Sequence, residues 1–267
     1  MPSANALFQN DPIAFLQNNA IVSHAPESHI YGLLYETDPR KRGLGNTLNA
    51  FPDNGSIEYD LVGVANQTYI LRRVLPDSAF TAQGLPAPRA AEDSIRGLFF
   101  PYKTGGVSDI VDMGTVIFQT DTPPTLAFTG AMNGCAFVAT DTQPPSPAKI
   151  QLYHYQSPES NPLYAPSGSR NFPTPMRCWI PESEYMPADW SRRFTQNGNL
   201  TSTFIFVWRN QRTGEVRVIA QTMAFDHLRA DRAPVYNSRL VRSWQIQGSD
   251  AAARAYTSHD PQTHLSS

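Results

Sequence analysis

The sequence predicts an α+β fold: packed mixed β-sheets forming a sandwich-like core, with short helices at the periphery. Three observations carry this. Short apolar runs recur from residue 56 onward, several alternating with polar residues at the period of two that a half-buried strand requires. Helical periodicity is weak throughout. The 23 prolines and 16 glycines show no repeat period and break the chain into many short elements. At 267 residues with 40% hydrophobic content, the chain can bury a sizeable core without covalent staples. The organisation expected is an N-terminal extension over 1–55, a β-rich catalytic domain over 56–248, and a small, polar, fraying tail over 249–267.

The elements follow in order. Asp11 as N-cap and Pro12 at the first helical position open a short helix toward Ile21. Residues 22–55 read as loop. Within them Arg40, Lys41 and Arg42 precede Gly43 and Gly45 with the wrong spacing for a phosphate loop, so an exposed basic turn is expected. Strands are expected over 57–64 and 69–74, then a short helix over 91–99 with Arg96 outward. Residues 105–112 read as a turn, and Asp109 and Asp112, lacking further ligands, as solvated loop. Three strands are expected over 115–119, 125–129 and 135–140. Residues 149–155 alternate, with Ile150, Leu152 and His154 on one face and Gln151, Tyr153 and Tyr155 on the other. Residues 156–176 read as loop, 203–208 and 215–222 as a hairpin across 210–214, and 240–246 as a last strand.

Composition removes several function classes. A net charge of −2 offers no electrostatic case for nucleic acid or an anionic membrane surface. No run of about 18 apolar residues exists, so no membrane span is expected. Residues 1–10 lack the basic and apolar regions of a Sec signal peptide, and the sequons at Asn54, Asn66 and Asn199 are read as chance. The two cysteines, Cys135 and Cys178, form no Cys-x-x-Cys pair. His24, His29, His227, His259 and His264 are scattered, so neither a disulfide framework nor a metal site is expected.

The segment that carries chemistry runs from Phe128 through Thr129, Gly130, Ala131, Met132, Asn133, Gly134 and Cys135 to Val138. An apolar strand enters a glycine turn, and Cys135 opens the next strand. Gly134 permits unusual dihedrals and close approach, and the turn amides of Asn133, Gly134 and Cys135 can converge as an oxyanion site. A free thiol titrates near 8.5, so it needs a histidine or another positive group beside it. His154, near the end of the following antiparallel strand, is expected opposite Cys135, at the cross-strand Cβ spacing of about 4.5–5.5 Å. Thr129 is the candidate to orient the imidazole.

This pattern resembles the bacterial glutamine deamidases, among them the catalytic domain of cytotoxic necrotizing factor, the Burkholderia lethal factor and the chemoreceptor deamidase CheD. Gly134-Cys135 matches their turn, although Met132-Asn133 departs from the Leu-Ser usual before it, and Thr129 matches a threonine six residues before the cysteine. The interval from Cys135 to His154 is somewhat longer than usual, and the Pro-rich stretch 143–147 absorbs the difference. The resemblance covers residues 110–156. It implies a Cys135–His154 enzyme that converts a protein glutamine to glutamate without metal or organic cofactor. It further implies a bacterial toxin or effector, without a Sec signal and delivered to a host cytosol, acting on a folded protein such as a Rho-type GTPase or a translation factor. Two alternatives stay open. A cysteine protease or transglutaminase would use the same thiol and imidazole, and a non-catalytic β-rich binding module would bury Cys135 far from His154. Cys178, after Arg177, is the rival nucleophile; no strand–turn signature frames it, and it reads as structural.

Overall fold

The computed structural model describes residues 2–23, 56–65, 67–73, 93–100, 115–121, 123–129, 132, 134–155, 174–189, 192, 200–225, 236–246 and 262–265. Two short helices, α1 (Ala4–Asn10) and α2 (Pro12–Asn18), come first. Asp11 caps α2, its carboxylate accepting from Ala14 N at 3.0 Å, as the Asp-Pro pair predicts. The helix stops at Asn18, short of the expected reach to Ile21, because 20–23 are claimed by a strand. The strands are β1 (Ala20–Ser23), β2 (Ser56–Ala65), β3 (Thr68–Arg73), β4 (Ile95–Phe99), β5 (Thr115–Gln119), β6 (Leu126–Phe128), β7 (Ala136–Asp141), β8 (Lys149–Tyr155), β9 (Met176–Ile180), β10 (Leu200–Arg209), β11 (Val216–Phe225), β12 (Tyr236–Gln245) and β13 (Gln262–Leu265). The four-residue helix α3 (Glu182–Tyr185) follows β9.

Among the described residues the strands form two sheets. The larger has nine, in the order β1-β3-β2-β4-β6-β10-β11-β12-β13; the smaller has four, in the order β5-β8-β7-β9. Alternation along each strand assigns its faces. On β10, Phe204 and Phe206 join one core with Phe8, Phe15 and Leu16 of the N-terminal helices. Ile205 and Val207 join another with Phe137, Ile150 and Leu152 of the small sheet. The layers are therefore helices, large sheet and small sheet, the α+β packing expected of the pattern. The other face of the small sheet carries Val138, Tyr153, Tyr155 and Trp179.

Two expectations are corrected, and two segments read without an element prove to be structured. Residues 95–99 are a strand, not the end of a helix, although Arg96 does point outward. Ile95, Leu98 and Phe99 are buried, and a Cβ at Gly97 would sit 3.3 Å from the Phe128 ring and 3.4 Å from the Leu126 carbonyl. The glycine lets β4 run close beside β6, which outweighs local propensity. Residues 176–180 are β9, where the expected loop ended at Met176 and residues 177–180 were read without an element. The tail contributes β13, paired with Leu240–Ser243 of β12, instead of fraying throughout. Residues 4–10, read without an element, are α1, capped by Ser3 and anchored by the buried Phe8. The basic turn 40–45, Asp109, Asp112, Asn133, and histidines 24, 29, 227 and 259 lie outside the described residues.

Candidate active site

Thr129, just after β6, is fully buried, its amide donating to the Ile205 carbonyl at 3.3 Å. Met132 then bridges to Thr203 of β10, through an amide-to-carbonyl bond of 2.8 Å. The chain turns at Gly134, whose φ of 72° lies in the left-handed region that only glycine adopts freely, and Cys135 leads into β7. Of the glycine turn inferred from the sequence, Gly134 has the left-handed backbone expected of it, while Gly130, Ala131 and Asn133 lie outside the described residues.

The pairing of β7 with β8 places Ala136 opposite Tyr155 and Phe137 opposite His154. His154 therefore faces Phe137 directly, and Cys135, two residues earlier, is its diagonal neighbour rather than its partner. The two still share a face, because Cys135, Phe137 and Ala139 alternate onto the side that carries Ile150, Leu152 and His154. Diagonal neighbours lie about 7–8 Å apart, with Cβ atoms somewhat nearer.

Thr129 Oγ1 lies 2.7 Å from His154 Nδ1 in a buried contact between residues 25 apart in the chain. The threonine singled out in the sequence is therefore in hydrogen-bond contact with the ring. His154 is 2% exposed and Cys135 5%. Desolvation pushes the imidazole down to about 3, so at neutral pH it is uncharged. A preformed thiolate–imidazolium pair, expected from the need for a positive neighbour, does not fit this environment. A neutral imidazole can still accept a proton from a thiol as the thiol attacks.

Two residues that sequence reading did not select close the site. Tyr185 of α3 donates its hydroxyl to the Cys135 carbonyl at 2.7 Å. The Gly134 amide donates to Glu182 Oε1 at 2.8 Å. The Gly134 amide, chosen as an oxyanion donor, is thus already engaged by a carboxylate. No local signal could have found these contacts, since they join residues 48 and 50 positions apart.

Cys178 lies on β9 opposite Ala139. Burial, reinforced by the Glu184 charge, pushes its thiol well up. Arg177, whose charge could have activated Cys178, binds Asp141 at 2.5 Å. A groove of about 670 Å³ lies away from the cysteines, between the α1–α2 junction and the β10–β11 turn, and includes Trp208 and Arg212. Several of its polar groups are committed: Gln9 to the Asp93 carbonyl, Asp11 to α2, and Asn210 to the turn amides of Arg212 and Thr213. Among the described residues no cluster of three or more metal-binding side chains occurs, and no helix is long and apolar enough to cross a membrane. In comparison with known proteins, the chain matches no protein-family model and no curated protein.

Proposed function

We propose that the chain is a cysteine deamidase that hydrolyses the side-chain amide of a protein glutamine, with Cys135 as nucleophile, His154 as base and acid, and Thr129 as the residue that orients the ring. The observation that carries this reading is the 2.7 Å Thr129–His154 contact on the same sheet face as a cysteine at the head of its strand. A threonine accepting from Nδ1–H leaves the lone pair on Nε2, the nitrogen available for proton transfer.

The reaction starts from a neutral thiol and a neutral imidazole. As sulfur attacks the amide carbon, the thiol proton passes to His154. The tetrahedral intermediate collapses, His154 protonates the nitrogen, and ammonia leaves behind a thioester. His154 then takes a proton from water, which attacks the thioester, and the proton returns to sulfur as glutamate is released. Low exposure of both groups makes each hydrogen bond stronger than it would be in water. The turn amides, including that of Cys135, are the oxyanion donors in this scheme.

The substrate proposed is a folded protein, a Rho-type GTPase or a translation factor, met in a host cytosol after delivery from a bacterium. This part rests on the Thr129, Gly134 and Cys135 resemblance alone. A second reading, a non-catalytic β-rich module, draws on the burial of Cys135 and His154 at 5% and 2% exposure. Mass spectrometry of lysate proteins incubated with wild type or Cys135→Ser separates the readings. Glutamine-to-glutamate conversions seen only with wild type support the deamidase. Backbone cleavage indicates a protease, and amine or lysine adducts at glutamine a transglutaminase. Identical samples leave the binding module.

A further inference from the structure

The α3 helix is only four residues long, yet it touches the nucleophile turn twice. Residues three apart on a helix share a face, and Glu182 and Tyr185 use theirs to reach consecutive residues. Glu182 accepts from the Gly134 amide at 2.8 Å and Tyr185 donates to the Cys135 carbonyl at 2.7 Å. The helix is itself held from the large sheet. Thr222 Oγ1 of β11 donates to the Tyr185 carbonyl at 2.7 Å, and Arg242 of β12 donates to the Glu184 carbonyl. Tyr185 is fully buried, while Glu182 is only half-buried, at the edge of the site. One tie is therefore a fixed part of the core, and the other can be exchanged.

We propose that Glu182 is a positioning residue that holds the Gly134 amide in the resting chain and yields it to the substrate oxyanion as the reaction begins. The inference rests on the reading of Cys135 as nucleophile. A backbone N–H bound to a carboxylate is a charge-assisted donor. The amide next to a nucleophile is also the kind of group that stabilises a tetrahedral oxyanion. Glu182 Oε1 supplies at rest the negative oxygen that the intermediate supplies during turnover. Its charge also opposes a thiolate on the adjacent residue. The Tyr185 phenol is pushed up by burial first and then by the Cys135 and Glu182 charges, so the three groups share one electrostatic neighbourhood. Among the described residues, the titratable groups facing this neighbourhood are His154 from β8, and Glu182 and Tyr185 from α3. Glu184 lies beside Arg242 and acts on Cys178.

The test is the pH profile of Cys135 alkylation by iodoacetamide, read on its own peptide, in wild type, Glu182→Gln, Glu182→Ala and His154→Gln. Circular dichroism confirms the fold of each, and the Cys178 peptide reports global opening. Both Glu182 variants are expected to alkylate Cys135 faster at neutral pH, by about threefold, the effect of half a unit in the thiolate equilibrium. Their profiles should move to lower pH with Cys178 still protected. Rates equal to or below wild type in both folded variants overturn the inference. A Cys135 that slows in His154→Gln but ignores both Glu182 variants overturns this inference and leaves the Cys–His reading standing. A Cys135 indifferent to His154→Gln overturns both.

Discussion

The two cysteines sit in the same core cluster at the same 5% exposure, yet their surroundings differ in every respect that governs chemistry. Cys178 lies inside β9, backbone-paired with Ala139, with burial and Glu184 both holding its proton on. Cys135 stands just outside β7, after a left-handed glycine, with an imidazole on its face and a threonine behind that imidazole. Burial alone therefore does not separate a structural thiol from a candidate nucleophile. Position at the head of a strand, and the groups that position brings within reach, do separate them.

Four substitutions break or sharpen that contrast, from the largest effect to the smallest. Cys135→Ser should lower glutamine deamidation by at least about a thousandfold, because removing the nucleophile disables the whole unit. Ammonia release on an identified target would show it, and residual activity near wild type would end the assignment. His154→Gln should cost roughly 10²–10⁴ in rate, the usual worth of a general base.

The same substitution changes acid stability. Unfolded His154 binds a proton below its ordinary value of 6.5, whereas the folded ring resists until about 3. Its contribution is therefore complete above 6.5 and lost as pH falls through that interval. The loss reaches about 2 kcal/mol by pH 5. Urea unfolding at pH 7 and pH 5 should show the wild type losing this increment and His154→Gln keeping it. Equal losses in the two proteins would mean that the ring is not buried neutral.

Thr129→Val keeps shape but removes the Nδ1 partner, so about a tenfold fall in rate is expected. A rate unchanged within error would mean that another group orients the ring. Cys178→Ala should leave the rate untouched and cost about 1–2 kcal/mol in thermal unfolding, the price of a small cavity. A rate loss there would dissolve the distinction between the two thiols.

Much of the fold was legible where the side-chain period was clean. β2, β3, β5, β7, β8 and the β10–β11 hairpin fall where alternation and turn residues place them, because a period of two is imposed by local geometry. β4 and β13 were misread, and β9 was left without an element, for one shared reason. Each is a short segment whose strand state depends on partners far away: β6 for Gly97, β7 for Cys178, and β12 for Gln262–Leu265. Within the candidate site, Thr129, Gly134, Cys135 and His154 were readable as a spaced set. Glu182 and Tyr185 were not, since nothing near them in sequence points to the turn they touch.

Left to itself, the sequence determined which residues could do chemistry and which face of its strand His154 would occupy, because both depend on neighbours within a few positions. Only the tertiary structure decided the rest. It set the register that makes Cys135 a diagonal neighbour of His154, the burial that leaves the imidazole uncharged, and the α3 contacts that engage the Gly134 amide. Those depend on strand register, desolvation and long-range packing, which are properties of the assembled sheets.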